Sequence, residues 1–269
     1  MIVEKNQKNW NEHAKIWAKF NHSEAILRPI LDDPSKAFNK TTWQLIQKYL
    51  PDLKGKNVCV PSSGDNHAVF AFARLGAHVT SCDISKNQLE NAQKIAQREG
   101  FSDLIDFVCT DTMRLEGIKD EAYDFVYTSN GVHVWLNDLP SMYRNIYRVL
   151  KPGGVNILYE IHPFMRPFDS DMNVAKPYDA TGPFEDESTV TFHWRVQDIL
   201  NAVADSGIRL LHIEEMFDEK NYERPFWVKN DDIIRGLKVD KEEVDRMYDW
   251  KQNPRMALPS WLCVVGKKT

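Results

Sequence analysis

Residues 57–85 constrain the fold of this chain more than any other stretch, because they predict a strand, a turn, a helix and a second strand in close succession. Residues 58–60 form a short apolar run with β propensity, and the turn-forming residues 61–66 end it. Residues 68–75 are apolar and compact, as in a helix packed on a sheet, and residues 78–82 resume a strand. The stretch therefore predicts a β-α-β unit.

An acid stands at the end of this unit, where Asp83 closes the second strand. It follows the turn glycine, Gly64, by about twenty residues, a spacing that places a carboxylate near a ribose in nucleotide-binding β-α-β units. Backbone N–H groups of the turn and of the helix start would form a polar cradle beside it. An ordinary crossover that binds no ligand also fits this stretch, so the rest of the chain must decide.

The rest of the chain continues the alternation of strands and helices. Further strands are predicted at residues 104–110, 123–128, 155–161, 208–214 and 260–266, and further helices at residues 8–20, 41–50, 85–98, 139–150 and 194–204. This alternation implies a parallel sheet with helices on both faces, in which ligands bind at the carboxyl ends of the strands. The candidate polar groups all follow strand ends, namely residues 62–66, Asp83, Asp111, Ser129, Asn130 and His162.

Three segments fall outside this alternation. Residues 1–50 predict amphipathic helices, which either cover the sheet or close over a ligand as a flap. Residues 163–192 and 217–258 are irregular, charged and rich in aromatic side chains. Long irregular stretches inside a compact domain are usually functional loops or lids. We therefore expect a single domain with a helical N-terminal flap and two inserted lid segments.

Composition narrows the class of protein. The chain has 269 residues, 42% of them hydrophobic, and its net charge of −5 disfavours a nucleic-acid partner. No apolar run approaches the roughly 20 residues that span a bilayer, and the polar N-terminus lacks the apolar core of a signal peptide. We expect a cytoplasmic protein that is a monomer or homodimer and has no nucleic-acid or membrane partner.

The cysteines give no sign of a disulfide or of a metal. Cys59, Cys82, Cys109 and Cys263 all lie in apolar strand-like runs, and no C-x-x-C pair occurs. We expect them to be buried free thiols that pack as small hydrophobic side chains, and we expect no metal site.

Two further motifs complete the pattern. S-N-G-V-H at residues 129–133 follows the fourth strand, and an L-K-P-G-G turn at residues 150–154 leads into an apolar fifth strand. Together with the β-α-β unit and its acids, they resemble the S-adenosylmethionine-dependent methyltransferases of the seven-stranded, Rossmann-like class. The resemblance, which lies with the branch that acts on small molecules, is strong over residues 40–161 and weak over residues 193–266. It implies an α/β fold with a doubly wound, mostly parallel seven-stranded sheet.

The resemblance also implies how a cofactor is held. Asp83 matches the acid that binds both ribose hydroxyls, and Asp111 matches the acid that accepts from the adenine amino group. A carboxylate suits both tasks, because it accepts hydrogen bonds with charge-assisted strength. The residues expected to bind S-adenosylmethionine are Ser62, Ser63, Gly64, Asn66, Asp83, Ile84, Asp111, Thr112, Ser129 and Asn130.

The turn after the first strand departs from the G-x-G-x-G loop of that family. Val60 stands where an acid is usual, and Ser62 and Asn66 replace the first and last glycine. We expect Gly64 to allow close approach of the backbone to the ligand, and Asn66 to adopt or approach the left-handed region. Ser62 and Ser63 are expected to face the amino-acid end of the cofactor.

The reaction implied is an in-line displacement at the sulfonium methyl, in which orientation of the two reactants supplies most of the catalysis. A general base is needed only where the nucleophile must lose a proton, and His133 and His162 are the candidates. The acceptor is expected to be small and aromatic or apolar. Its walls are expected from the aromatic side chains of the flap and lids, including Trp17, Phe164, Trp194, Phe226 and Trp227.

Each of these assignments has an alternative. Asp83 and Asp111 could instead cap the helices that follow them, Asn130 could belong to a simple turn, and both histidines could be structural. At the level of function, the alternatives are a non-catalytic relative that binds a nucleoside or a protein partner, and a nicotinamide-dependent oxidoreductase. The missing G-x-G-x-x-G motif argues against the oxidoreductase.

Overall fold

A seven-stranded sheet forms the centre of the molecule in the computed structural model, which describes residues 1–169, 173–222 and 238–269. In chain order the strands are β1 (Asn57–Val60), β2 (His78–Asp83), β3 (Ile105–Cys109), β4 (Tyr123–Ser129), β5 (Leu150–Ile161), β6 (Phe184–Glu185), β7 (Val190–Thr191), β8 (Ile208–Met216) and β9 (Trp261–Lys268). Strands β6 and β7 form a separate antiparallel hairpin.

The described helices include the six that the sequence predicts. In chain order the described helices are α1 (Ile2–Asn21), α2 (Glu24–Asp32), α3 (Lys40–Tyr49), α4 (His67–Arg74), α5 (Lys86–Arg98), α6 (Leu139–Val149), α7 (Val196–Asp205) and α8 (Lys241–Met247), of which α8 falls in the second segment expected to be irregular. Polar side chains cap several of them: Asn66 caps α4, Ser85 caps α5 and Asp138 caps α6.

The strand order in the sheet is β3-β2-β1-β4-β5-β9-β8. Strands β1 to β5 pair in parallel, and β9 lies antiparallel between β5 and β8. The order reverses between β1 and β4, which creates the crevice at the carboxyl ends of the strands where open α/β sheets bind ligands. The predicted doubly wound, mostly parallel seven-stranded sheet is confirmed.

Side chains alternate across the strands and so build two hydrophobic clusters. Val58 and Val60 belong to one cluster, whereas Cys59 between them belongs to the other. The first cluster includes Ile46 of α3 and Phe72 of α4, and the second includes Ile146 of α6 and Val203 of α7. Strand β1 is therefore buried on both sides, which explains why its sequence is apolar without alternation.

The structure differs from the sequence-based expectations in three local features. Helix α2 and the β6–β7 hairpin were not predicted, because α2 contains Pro29 and the hairpin strands have only two residues each. The L-K-P-G-G segment is a bulge inside β5 rather than a turn before it, since Leu150 pairs with Tyr123 and Val155 with Phe125.

One cysteine contradicts its predicted burial. Cys59, Cys82 and Cys263 are buried, but Cys109 is exposed. Its strand, β3, lies at the edge of the sheet, where no neighbouring strand covers it on that side. An apolar run in the sequence does not by itself reveal whether its strand is central or at an edge.

The irregular segments are only partly described. The first lid segment, residues 163–192, contains the β6–β7 hairpin, and residues 170–172 lie outside the described part. Within the second, residues 223–237 lie outside it as well, and these include Phe226 and Trp227. No helix in the described ranges is long and apolar enough to cross a membrane. The same ranges hold no group of three or more His, Cys, Asp or Glu side chains arranged to bind a metal ion.

Candidate active site

A cavity of about 440 Å³ opens at the carboxyl ends of β1, β2 and β4. This volume lies within the range of small-molecule sites, about 300–1,000 Å³. All the residues predicted to bind the cofactor line it, namely Ser62, Ser63, Gly64, Asn66, Asp83, Ile84, Asp111, Thr112, Ser129 and Asn130. Trp17 of α1 lines it too. The other lining residues were not assigned to the cofactor or the acceptor: Val3, Asn6, Trp10, Asn21, Asp65, His67, Gln88, Met113, Gly131, Val132, Trp135 and Leu136.

The turn after β1 brings its backbone to the cavity through two left-handed residues. Ser62 has a φ of 49° and Gly64 a φ of 50°, so both sit in the region that normally favours glycine. The prediction that Asn66 would be left-handed is wrong, because its φ is −60°. Asn66 is instead the N-cap of α4, and its side-chain oxygen accepts from the Ala68 amide at 2.9 Å.

Hydroxyl groups of this turn are already bonded within the protein. The Ser62 hydroxyl lies 2.6 Å from the Thr112 hydroxyl, which ties the turn after β1 to the loop after β3. The Ser63 hydroxyl lies 2.7 Å from that of Ser81 and donates to the Cys82 carbonyl at 3.1 Å. Ser63 therefore anchors the turn to β2. The side-chain amide of Asn66 donates to the Ser129 hydroxyl at 2.8 Å, which joins the turn to the end of β4.

The carboxylate of Asp83 joins the turn to the end of β2. Its Oδ2 accepts from the Gly64 amide at 2.7 Å, and its Oδ1 accepts from the Ser85 amide at 2.7 Å. Burial raises the pKa of Asp83 to about 6, although both of these hydrogen bonds favour the charged form. At neutral pH the group is an ionised carboxylate with acceptor capacity left over, because each oxygen has two lone pairs.

Asp111 lies at the corresponding position after β3. Its Oδ1 accepts from the Met113 amide at 2.9 Å, which stabilises the turn that follows. Burial is the main cause that raises its pKa. The alternative that these acids cap the helices after them is wrong, because Ser85 caps α5 and Asp111 is followed by turns. Both acids line the cavity.

A buried glutamine completes this side of the cavity. Gln88 in the first turn of α5 is only 2% exposed, and its Oε1 has no hydrogen-bond partner among the described residues. A Cβ placed on Gly64 would lie 3.7 Å from Asp83 Oδ2 and 4.0 Å from Gln88 Cδ. The cavity thus combines a close backbone approach with an unsatisfied acceptor, which fits a ligand that donates hydroxyl hydrogen bonds.

The loop after β4 is held by a residue that sequence reasoning missed. Glu160 of β5 is buried, and its carboxylate accepts from the backbone amides of Gly131, Val132, His133 and Ile161 at 2.7–3.1 Å. Residues 130–132 line the cavity, so Glu160 fixes the shape of that wall. An acid within a strand-like apolar run was the only signal of it in the sequence.

The two histidines proposed as general bases do not line the cavity. His133 is buried, its Nε2 lies 3.1 Å from the Tyr143 hydroxyl, and burial lowers its pKa. His162 is buried at the end of β5, where its Nδ1 accepts from the Phe164 amide at 3.1 Å. Its Nε2 therefore carries the hydrogen and donates to Glu215 at 2.9 Å. Both rings are engaged in structural contacts away from the polar groups of the site.

The predicted aromatic walls also separate into two groups. Trp17 lines the cavity, whereas Phe164 and Trp194 do not. Phe164 packs on the rings of His162 and Tyr178. Trp194 donates from its indole to the carbonyl of Leu136 at 2.9 Å and so supports the cavity wall from behind.

Helix α1 closes one side of the cavity. The indole of Trp17 donates to Oδ1 of Asp65 at 2.7 Å, and Nε2 of His22 lies 2.8 Å from Oδ2 of the same carboxylate. Asp65 belongs to the turn after β1, so the helix is bonded directly to that turn. Asn6 adds further ties, because its buried amide donates to the Val190 carbonyl and accepts from the Val190 amide, each at 2.9 Å.

Comparison with known proteins agrees with this geometry. Residues 61–158, from the turn after β1 to the middle of β5, match the methyltransferase domain family. This segment belongs to that family. The predicted resemblance to the methyltransferases is confirmed over these residues, which contain every position expected to bind the cofactor.

Individual relatives are methyltransferases. A sterol 24-C-methyltransferase of Gibberella zeae is 30% identical over 152 residues, which are 56% of this chain and 39% of that protein. A mitochondrial 2-methoxy-6-polyprenyl-1,4-benzoquinol methylase of Leishmania donovani is 40% identical over 95 residues, 35% of this chain and 32% of that protein. The chain thus spans less than half the length of either relative.

A solved structure shares the fold over most of the chain. The crystal structure of an S-adenosylmethionine-dependent methyltransferase from Mesorhizobium loti superposes with a TM-score of 0.61. The identity is 21%, and the superposition covers 88% of this chain and 99% of that one. The methyltransferase fold therefore extends beyond the segment that the domain family matches.

Proposed function

We propose that this methyltransferase-family protein transfers a methyl group from S-adenosylmethionine to a small aromatic or apolar molecule. The observation that carries the proposal is that every predicted cofactor residue lines one cavity at the carboxyl ends of the strands. When bound, S-adenosylmethionine supplies an electrophilic methyl group on a sulfonium. What the protein must do is hold the donor and align the acceptor with that methyl group.

The ribose and adenine of the donor have candidate partners. The Asp83 carboxylate, which uses one lone pair on each oxygen for Gly64 and Ser85, can accept from the ribose diol with those that remain. The unsatisfied Oε1 of Gln88 supplies another acceptor for the same hydroxyls. Asp111 is the candidate acceptor for the adenine amino group.

The turn after β1 is the candidate site for the amino-acid end of the donor. Gly64 lets the backbone approach, because it has no Cβ and adopts a positive φ. The start of α4 lies beside it, and the positive end of the helix dipole there attracts a carboxylate. The Ser62 hydroxyl can add a donor, provided that the Thr112 hydroxyl donates in their shared hydrogen bond.

The apolar part of the cavity lining suits an apolar acceptor. It consists of Trp10, Trp17, Trp135, Val3 and Leu136. The two relatives described above are named for a sterol and a polyprenyl quinol, which are both largely apolar molecules. His133 and His162 are not assigned a proton-transfer step, since neither lines the cavity. Their catalytic role stays an untested prediction.

Calorimetric titration with S-adenosylmethionine, S-adenosylhomocysteine and NADH tests the proposal. We expect both adenosyl compounds to bind with one site per chain and NADH not to bind. Binding of NADH alone would favour the oxidoreductase alternative, and binding of none of the three would overturn the proposal. A screen with methyl-labelled donor and a panel of small aromatic and apolar acceptors then separates a catalyst from a non-catalytic relative, because only the catalyst transfers the label.

A further inference from the structure

Three tryptophans form a corner on the acceptor side of the cavity. Trp10 packs edge-to-face on Trp17, with ring centroids 5.8 Å apart and planes at 86°, and on Trp135, with centroids 5.1 Å apart and planes at 76°. The hydrogen bond to Asp65 fixes the orientation of Trp17. Because the three rings pack edge-to-face and do not stack, a ligand in the corner can contact both ring faces and ring edges.

The carboxylates that line the cavity, those of Asp65, Asp83 and Asp111, have no Lys or Arg among the other described lining residues. Among the histidines, His67 lines the cavity, with Nε2 donating to the Asn21 carbonyl at 2.8 Å. His22 contacts Asp65 from outside the lining.

The tryptophan rings and the carboxylates both favour a positively charged ligand. The face of an indole carries negative electrostatic potential and attracts cations within about 6 Å of the ring centroid. The carboxylates that line the cavity add attraction of the same sign. The site therefore favours positive charge and disfavours an anionic ligand in the acceptor position.

We propose that the acceptor is a neutral nucleophile that becomes positively charged when it is methylated, such as a tertiary amine or an electron-rich alkene. This inference rests on the proposed methyl transfer. In the step, the electron pair of the acceptor forms a bond to the methyl carbon while the carbon–sulfur bond breaks and its electron pair stays on sulfur. With an alkene no proton moves in this step, whereas an amine, which is protonated at neutral pH, must first release its proton to solvent. In both cases the positive charge passes from sulfur to the acceptor.

The charge of the acceptor before and after transfer explains why the tryptophan corner suits acceptors that become cationic. With a neutral acceptor the cation persists through the reaction, and the tryptophan faces and carboxylates stabilise it after transfer. With a phenolate, carboxylate or thiolate the charges cancel, and the same surroundings repel the nucleophile before it reacts.

Three probes of similar shape and different charge test the inference without turnover. Choline, 3,3-dimethylbutan-1-ol and 3,3-dimethylbutanoate are titrated into protein saturated with S-adenosylhomocysteine, and tryptophan fluorescence reports binding. We expect choline to bind about tenfold more tightly than the neutral alcohol, and the carboxylate to bind most weakly. Equal binding of choline and the alcohol, or tightest binding of the carboxylate, would overturn the inference.

Variants of one tryptophan assign the preference to the corner. Trp10→Leu removes the aromatic face and should bring the choline-to-alcohol ratio close to one, whereas Trp10→Phe should retain most of it. Trp250→Leu is the matched control, because Trp250 is 59% exposed and does not line the cavity. A ratio that is unchanged in Trp10→Leu would contradict the assignment. If Trp10→Leu fails to fold, the three probes on Trp10→Phe and on the unmodified protein still test whether the cavity prefers a cation.

The two proposals fail in different ways. If S-adenosylhomocysteine does not bind, the proposed methyl transfer is wrong, and if it binds without any cation preference, only the acceptor class is wrong. Methyl-labelled donor with N,N-dimethylbenzylamine, α-methylstyrene and phenol in separate reactions distinguishes the two sources of a cationic product. Label in the amine or in the alkene supports the inference and identifies the class, while label in phenol alone contradicts it.

Discussion

The backbone amide of Gly64 donates to Oδ2 of Asp83 at 2.7 Å, so the turn after β1 and the acid after β2 form one hydrogen-bonded unit. In the sequence these are two separate motifs. In the structure the carboxylate sets the position of the turn, and the turn helps keep a buried carboxylate ionised. A change in either residue therefore affects both the cradle and the ribose acceptor.

The first prediction concerns the Asp83 carboxylate. Asp83→Ala should weaken binding of S-adenosylhomocysteine by about ten- to a hundredfold, since a charge-assisted hydrogen bond contributes roughly 1.5–3 kcal/mol. It should also lower the free energy of unfolding, because the Gly64 and Ser85 amides lose their acceptor. Calorimetry and urea unfolding measure the two effects, and Asp106→Ala, on an exposed position of β3, is the control. A folded Asp83→Ala protein with unchanged affinity would remove Asp83 from the site.

The second prediction follows from the pKa of about 6 for Asp83 in the free protein. Above that pH the carboxylate is ionised and accepts from the ribose, whereas below it the carboxyl becomes protonated and loses its charge-assisted strength. The dissociation constant for S-adenosylhomocysteine should therefore rise as the pH falls from 7 to 5. The α-amino and α-carboxyl groups of the ligand titrate near pH 8 and pH 3.5, outside this window. Asp83→Asn should bind weakly and nearly independently of pH. An equal pH dependence in that variant would assign the titration to another group.

The third prediction separates backbone strain from steric block at Gly64. Gly64 and Gly55 have φ values of 50° and 70°, so a side chain at either position should lower stability, by about 1–2 kcal/mol. A Cβ at Gly55 would meet no atom within 4 Å, whereas one at Gly64 would lie beside Asp83. We expect Gly64→Val to abolish binding of S-adenosylmethionine, and Gly55→Val to have a similar effect on stability but none on binding. Normal binding by Gly64→Val would mean that this turn does not hold the donor.

Most of the fold and one side of the site follow from local sequence. The central strands are buried on both faces, so they are short apolar runs that need no long-range information to recognise. The acids after β2 and β3 could be placed because the carboxyl ends of parallel strands meet at one edge of the sheet. The residues around Ser62, Asp83 and Asp111 therefore meet in one cavity as expected.

The features that the sequence did not reveal depend on contacts between distant segments. Glu160 bonds four amides, of which three come from the loop after β4, and Asp65 bonds Trp17 of α1 across 48 residues of chain. Asn66 was expected to be left-handed by its residue type, but capping α4 uses the same side chain in an extended conformation. His162 follows a strand end as an active-site residue would, yet its ring turns to Glu215 and away from the cavity.

The fourth prediction concerns the flap. Segments 1–25 and 163–192 are expected to be more protected from hydrogen exchange when S-adenosylhomocysteine is bound, because α1 lines the cavity and Asn6 of α1 bonds Val190 of the second segment. Trp17→Phe keeps an aromatic ring but removes the indole N–H that bonds Asp65, so residues 1–25 should exchange faster in the free protein. Trp250→Phe serves as the control, since Trp250 is exposed and does not line the cavity. Equal protection with and without ligand would mean that both segments are static covers.

The last prediction concerns Ser62, which takes the place of a glycine in the family's turn and keeps a left-handed backbone with a φ of 49°. The strain should cost about 1–2 kcal/mol relative to glycine, and the hydrogen bond to Thr112 at 2.6 Å should offset part of it. Ser62→Ala loses the hydrogen bond and keeps the strain, whereas Ser62→Gly loses the hydrogen bond and relieves the strain. We therefore expect the glycine variant to be more stable than the alanine variant by about 1 kcal/mol in urea unfolding. Thr112→Val removes the same hydrogen bond from the other side and should match Ser62→Ala in stability.

Binding of S-adenosylhomocysteine to Ser62→Gly should be unchanged or tighter, because the backbone conformation that the turn requires is then free of strain. A glycine variant less stable than the alanine variant would show that the turn relaxes out of the left-handed region when the Thr112 contact is lost.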